Sequence, residues 1–162
     1  LLDGGFPFYR CYRCADGRFV SVGPLERPFR RALLERLDLA DDPMFSESAV
    51  ADASRWPQQR DRLAAVFAGR SREDWAAHFD GTDACVAPVL DWDEAPAHPH
   101  LAARGTFVTI DGVVQARPAP RYGRSEAAGP TPPVAPVEDA AAVAATVAAW
   151  LAPRDPAPLA PG

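Results

Sequence analysis

Proline limits this chain's folding more than any other feature. The 162 residues carry 18 prolines, and each removes a backbone donor and fixes φ. They crowd into two stretches, 116–137 and 152–162. The first reads as an extended linker and the second as a disordered tail. Regular structure is therefore expected within residues 1–115, as one small domain, and within the segment 138–151. Pro28 and Pro57 suit the first turn of a helix, where no amide donor is needed.

Residues 7–22 predict a β-hairpin. Ala15-Asp16-Gly17 supplies its turn, and Phe8, Cys11, Tyr12, Phe19, Val20 and Val22 supply strand-favouring bulk. A helix follows from about Arg27 to Leu39, with Phe29, Leu33, Leu34 and Leu37 on one face. Residues 40–53 read as a polar loop. A second helix spans about 55–68, with Ser54 as its cap and Leu63, Val66 and Phe67 facing the core. A third opens at Ser71-Arg72-Glu73-Asp74, a capping-box pattern with Asp in the Glu position. Trp75 and Phe79 lie four apart on it. Ala84-Cys85-Val86-Ala87-Pro88-Val89-Leu90 reads as a short strand, and 93–101 as a proline-broken turn. In T-F-V-T-I-D-G-V-V-Q, 106–115, two β-branched runs flank Asp111-Gly112, a type I′ hairpin dipeptide. The segment 138–151 predicts a last helix with Val143, Val147, Trp150 and Leu151 as its apolar stripe. The fold class is α+β.

A hydrophobic fraction of 48% permits a packed core. The net charge of -5 argues against nucleic acid as a partner. No apolar run approaches the roughly 20 residues of a membrane helix. Three cysteines fit a reduced compartment, so the expected location is cytoplasmic. The chain opens on Leu1 in mid-pattern, which suggests a preceding segment.

Few motifs carry chemistry. Cys11 and Cys14 form a C-x-x-C, but on a strand residues i and i+3 point to opposite faces. Both read as small, half-buried hydrophobes rather than metal or redox groups. His78, His98 and His100 show no ligand spacing, so no metal site is expected. Thr82 and Asp83 read as turn residues bonding local backbone donors. There is no nucleotide-binding glycine loop, no G-x-S-x-G and no H-E-x-x-H. Glu26 stands out, between Pro24 and Pro28 at a strand-to-helix corner. Its bland reading is a carboxylate stabilised by a helix N-terminus, worth up to about 1 kcal/mol.

The run L-L-D-G-G-F-P-F-Y-R-C-Y-R-C-A-D-G-R-F-V-S-V-G-P-L-E resembles the small-domain entry of the α-methylacyl-CoA racemases. These belong to the family III (CaiB/BaiF-type) CoA-transferase superfamily. H-F-D-G-T-D-A-C-V-A-P-V-L, H-P-H-L-A-A-R-G-T-F-V and Q-A-R-P-A-P-R-Y are similar to later segments of the same group, in the same order. The resemblance covers about residues 1–124. It implies a small α+β domain whose tethered helix, 138–151, returns to a Rossmann-like large domain upstream of Leu1. It implies an interlocked homodimer and an acyl-CoA substrate. It implies 1,1-proton transfer at C2 of a 2-methylacyl-CoA through an enolate, with no metal or other cofactor, CoA being part of the substrate. A His and an Asp of the large domain would move the protons. Glu26 would be the catalytic-site carboxylate that pairs with that His. Tyr9 would be an active-site tyrosine, and Leu1, Leu2 and Leu25 would lie near the acyl group. Pro24 and Arg27-Pro28 stand where the family is less constrained, which implies a stiffer corner. The 162-residue chain alone would be inactive. The alternatives are a CoA-transferase working through an acyl-aspartate, or a noncatalytic interaction module or gene remnant.

Overall fold

The computed structural model describes residues 2–125, 128–132 and 139–152. The chain divides into two compact units, Leu1–Ala95 and Pro96–Gly162, each with its own sheet. The second hairpin, grouped in the sequence with residues 1–115, pairs only with itself and falls in the second unit.

In the first unit, β1 (Arg10–Arg13) and β2 (Phe19–Val22) form the expected hairpin, with Cys11 opposite Ser21 and Tyr12 opposite Val20. Gly17 closes the turn at φ +80°, a conformation that penalises any residue with a Cβ. Asp16 supports it by accepting the Arg18 amide at 3.1 Å. β3 (Val86–Pro88) adds antiparallel to the other edge of β2. The three strands alternate as a half-buried sheet must. Tyr12, Val20 and Val22 are buried, while Cys11, Phe19 and Ala87 are exposed.

Helices α1 (Arg27–Arg36), α3 (Trp56–Phe67) and α4 (Arg72–Phe79) send their apolar residues into the same core as the sheet. Leu33, Leu63 and Phe67 are fully shielded there. The Phe67 ring stacks on Tyr12 at 5.1 Å and meets Trp75 edge-on at 5.2 Å. The Tyr12 hydroxyl donates to the Pro7 carbonyl at 2.6 Å, and burial pushes its pKa up. Tyr12→Phe keeps the ring stack but strands that carbonyl. It is expected to cost about 1–2 kcal/mol in urea unfolding, and an unchanged midpoint would contradict this role for the hydroxyl.

Three sequence expectations need correction. α1 ends at Arg36, not near Leu39. Asp38 adopts φ +57°, and the Leu39 amide reaches back to the Leu34 carbonyl at 2.8 Å. This Schellman-type stop without glycine returns Leu39 to the core. Second, residues 40–53 are not a plain polar loop. A 3₁₀ turn at Pro43–Phe45, helix α2 (Glu47–Ala51) and a 3₁₀ turn at Ala53–Arg55 follow one another. Asp42, Ser46 and Asp52 each cap one of these pieces, which lets Phe45, Ala49 and Val50 be buried. Fully buried Gln59 on α3 ties this segment down, donating from Nε2 to the carbonyls of Met44 at 2.8 Å and Ala49 at 3.0 Å. Third, Ser54 does not cap α3. Arg55 precedes that helix without a side-chain cap, and the Ser54 hydroxyl donates to Asp52 instead, at 2.7 Å.

α4 begins with the predicted capping box of Ser71 and Asp74. Its first residue, Arg72, is buried. The guanidinium grips both Glu94 carboxylate oxygens at 2.7 Å and the Val89 carbonyl at 2.8 Å, and also bonds Glu73. It fastens the segment that follows β3 to the start of α4.

The second unit holds α5 (Pro99–Ala103), a hairpin of β4 (Phe107–Ile110) and β5 (Val113–Ala116), and α6 (Ala140–Leu151). Asp111 at φ +49° and Gly112 at φ +80° give the two positive values that a type I′ turn requires. Asp139 caps α6 by accepting the Ala141 amide at 2.9 Å. The Val143, Val147, Trp150 and Leu151 stripe is exposed. Glu138, parts of the 116–137 linker and residues 153–162 lie outside the described residues. Among the described residues, no helix is long and apolar enough to cross a membrane.

Candidate functional site

The strand-to-helix corner is built from backbone outward. β2 ends at Val22, and the Gly23 amide bonds the Cys85 carbonyl at 3.0 Å. Pro24 is fully buried, and the Leu25 amide closes a tight turn onto the Gly23 carbonyl at 2.9 Å. The Arg30 guanidinium, on the next helical turn, donates to the Leu25 carbonyl and lies 3.3 Å from Glu47. The backbone leading to Glu26 is thus held on both sides.

Glu26 occupies the N-cap of α1 at φ -82°, ψ 147°. A cap side chain normally accepts an amide of the first turn, but that of Glu26 makes no such bond. It is exposed, and no described residue bonds its carboxylate. The corner fixes an acid in place and leaves its charge unspent.

The outward face of the sheet forms an open groove of about 460 Å³ beside this corner. Leu2, Tyr9, Arg10, Cys11, Ser21 and Cys85 are among the residues that line it, next to Gly23. Tyr9 is 38% exposed, so its ring is accessible from the groove. Cys85 sits at φ +53°. Its thiol is pushed up by the packing around it, then by the charges of Glu26 and Asp83. A thiol held protonated in this way is a poor nucleophile.

The predicted site residues separate into groups. Tyr9 and Leu2 share the groove, and Glu26 does not line it but follows its lining residue Gly23 by three positions. Leu25 lines a different hollow, with Phe6, Val50 and Trp56, and packs against the core. Leu1 lies outside the described residues. Ser21 and Cys85 are groove residues that the sequence did not single out. The pairing of β2 with β3 that aligns them leaves no local signal.

Cys11 is exposed and Cys14 buried, as opposite faces require. Among the described residues, no three His, Cys, Asp or Glu side chains gather as metal ligands. His78 is a fastener. Its Nε2 contacts the Arg36 carbonyl at 2.8 Å, and its ring meets Phe79 edge-on at 5.1 Å. Thr82 differs from expectation in direction, since its hydroxyl donates to the Phe79 carbonyl at 2.7 Å.

The mixed arrangement of sheet and helices is similar to that of a solved structure. Rv3272 from M. tuberculosis superposes with a TM-score of 0.60 over 73% of this chain and 33% of that one, at 15% identity. That likeness defines the class of domain: a small mixed sheet-and-helix unit. The chain belongs to CoA-transferase family III, which residues 2–139 match. It is 43% identical to alpha-methylacyl-CoA racemase of Mus musculus over 129 residues, 78% of this chain and 33% of that protein. The Homo sapiens protein of the same name is 43% identical over 121 residues, 74% of this chain and 31% of its own length. The chain therefore spans about a third of the length of the curated relatives it matches.

Proposed function

We propose that this chain is the C-terminal part of an α-methylacyl-CoA racemase, and that Glu26 serves its proton-transfer site. One observation carries the reading: a carboxylate fixed at a rigid corner, exposed, and unpaired among the described residues. A surface acid at a helix N-terminus gains at most about 1 kcal/mol from the dipole and does not require such framing. An acid that must meet a partner on another domain does.

The chemistry follows from the thioester. Its carbonyl acidifies the C2 proton of a 2-methylacyl-CoA. A base removes that proton, the electron pair moves into an enolate, and an acid on the other face returns a proton to C2. A histidine and an aspartate of the upstream large domain make these transfers. Glu26 accepts a hydrogen bond from the histidine, which sets its tautomer and raises its basicity. Tyr9 and Leu2 present the groove that receives the branched acyl group, in a homodimer whose α6 stripe packs on the large domain. The reaction as written needs no cofactor beyond the CoA of the substrate.

On this reading the 162-residue chain cannot work alone. Incubated with a single epimer of a 2-methylacyl-CoA in ²H₂O, it is expected to leave the C2 proton in place. Exchange above the uncatalysed rate would overturn the division of labour. The name of the family keeps CoA transfer as the second reading. A longer protein containing this chain should form no new thioester when offered a free carboxylic acid, and acceptor-CoA formation would favour transfer instead.

A further inference from the structure

The Glu26 side chain makes no cap bond that would aim it, so the backbone beneath it places its carboxylate. Buried Pro24 and the Gly23 amide hold the chain before Leu25. From Glu26 onward α1 holds it, with the Arg30 amide donating to the Glu26 carbonyl at 3.0 Å. The peptide joining Leu25 to Glu26 belongs to neither. Its carbonyl, that of Leu25, comes one residue before the helical ladder begins. The Arg30 guanidinium supplies its donor, from Nη1. Arg30 thus holds the carbonyls on both sides of the Glu26 Cα, one with its amide and one with its side chain.

The grip is itself braced. The Arg30 side chain is 13% exposed, and its Nη2 lies 3.3 Å from Glu47 Oε2. Glu47 opens α2, and its other carboxylate oxygen is 3.2 Å from Arg27 Nε. The buried Gln59 amide anchors α2 in turn, donating to the Ala49 carbonyl at 3.0 Å. A planar guanidinium bonded through two nitrogens has a fixed orientation. Arg30 lines the hollow of Phe6, Leu25 and Trp56, and it does not line the groove of Tyr9 and Cys85. Its effect on a molecule in that groove must therefore pass through Glu26, and such a group has to be held within about 0.5 Å to work.

We propose that Arg30 is the positioning residue of this corner: it sets where the Glu26 carboxylate stands, with Glu47 as its brace. The inference rests on the proton-transfer role given to Glu26 above, and two measurements separate it from that role. The Glu26 amide shares the peptide plane that Arg30 holds. In the 162-residue chain its ¹⁵N order parameter should be about 0.85, falling toward about 0.6 in Arg30→Met, with the Phe67 amide unchanged. Arg30→Lys keeps one donor for the Leu25 carbonyl and should recover most of the order. In a longer protein containing this chain, Arg30→Met should lower kcat for C2 proton exchange roughly tenfold with little change in KM. The basic-group limb of its pH profile should move to lower pH, as it should in Glu26→Gln. Added to Glu26→Gln, Arg30→Met should cost nothing further, because no carboxylate is left to place. An unchanged order parameter at Glu26 overturns the proposal. So does an equal loss from Arg30→Met with and without Glu26→Gln, which marks general damage to the fold. A wild type without exchange activity would fell the racemase reading alone, and the drop in order would still support the hold of Arg30 on the corner.

Discussion

Arg72→Ala is expected to lower the melting temperature by roughly 10 °C. The side chain is 3% exposed, and its guanidinium bonds Glu94 through two nitrogens, the Val89 carbonyl and Glu73. Truncation leaves a buried carbonyl without its donor, a carboxylate without its fork and a void at the start of α4. Breaking a buried charge pair from one side costs several kcal/mol. The Glu94 side chain is 27% exposed, so water takes up part of the loss, and about 2–4 kcal/mol is the expected cost. The same clamp makes a pH prediction. The hydrogen bond from Arg72, then the Asp91 amide, holds the Glu94 carboxyl at about 2. A folded-state pKa below the unfolded value means stability that is present above about pH 4.3 and lost as pH falls toward 2. Wild type should therefore lose stability through that window more steeply than Arg72→Ala. Equal melting temperatures, or equal acid slopes, would contradict the clamp.

What the sequence made legible follows from where the signals are local. The Asp111-Gly112 turn, the Ser71 and Asp74 box and the spacing of Leu33, Leu34 and Leu37 act within a few residues, and the structure has all three. The Asp38 stop on α1 was hidden because a residue other than glycine takes the left-handed position. The 40–53 segment was hidden because three short capped pieces have no period long enough to read, although Phe45 and Val50 are buried in it. Arg72 was hidden for a different reason. An arginine in a first turn reads as exposed, and its partner Glu94 lies 22 residues away. The site shows the same divide. Glu26 and Tyr9 were legible through a run of sequence around them. That Leu25 turns toward Phe6 and Trp56 while Cys85 enters the groove depends on the packing of β2, β3 and α1.

In the proposed mechanism Glu26 acts on a histidine of another domain. Glu26→Gln keeps the size and the exposed position, and the lost charge served no cap bond, so the stability cost should stay within the roughly 1 kcal/mol of a charge at a helix N-terminus. The activity should not hold. A neutral amide no longer stabilises the imidazolium, and its NH₂ end can favour the wrong tautomer. A loss of roughly 100-fold or more in turnover is expected. The pH profile should move as well. A neighbouring carboxylate raises a histidine's pKa, so its removal should shift the basic-group limb to lower pH. A purely structural role for Glu26 would move neither limb.

The most direct measurement is C2 proton exchange in ²H₂O, followed by ¹H NMR on a 2-methylacyl-CoA. The protein should be taken as its source cells make it, as wild type and as Glu26→Gln. Exchange from either epimer is expected of the wild type, with a roughly 100-fold loss in the variant and little change in its melting temperature. Exchange by Glu26→Gln at the wild-type rate would contradict the proposed role of Glu26.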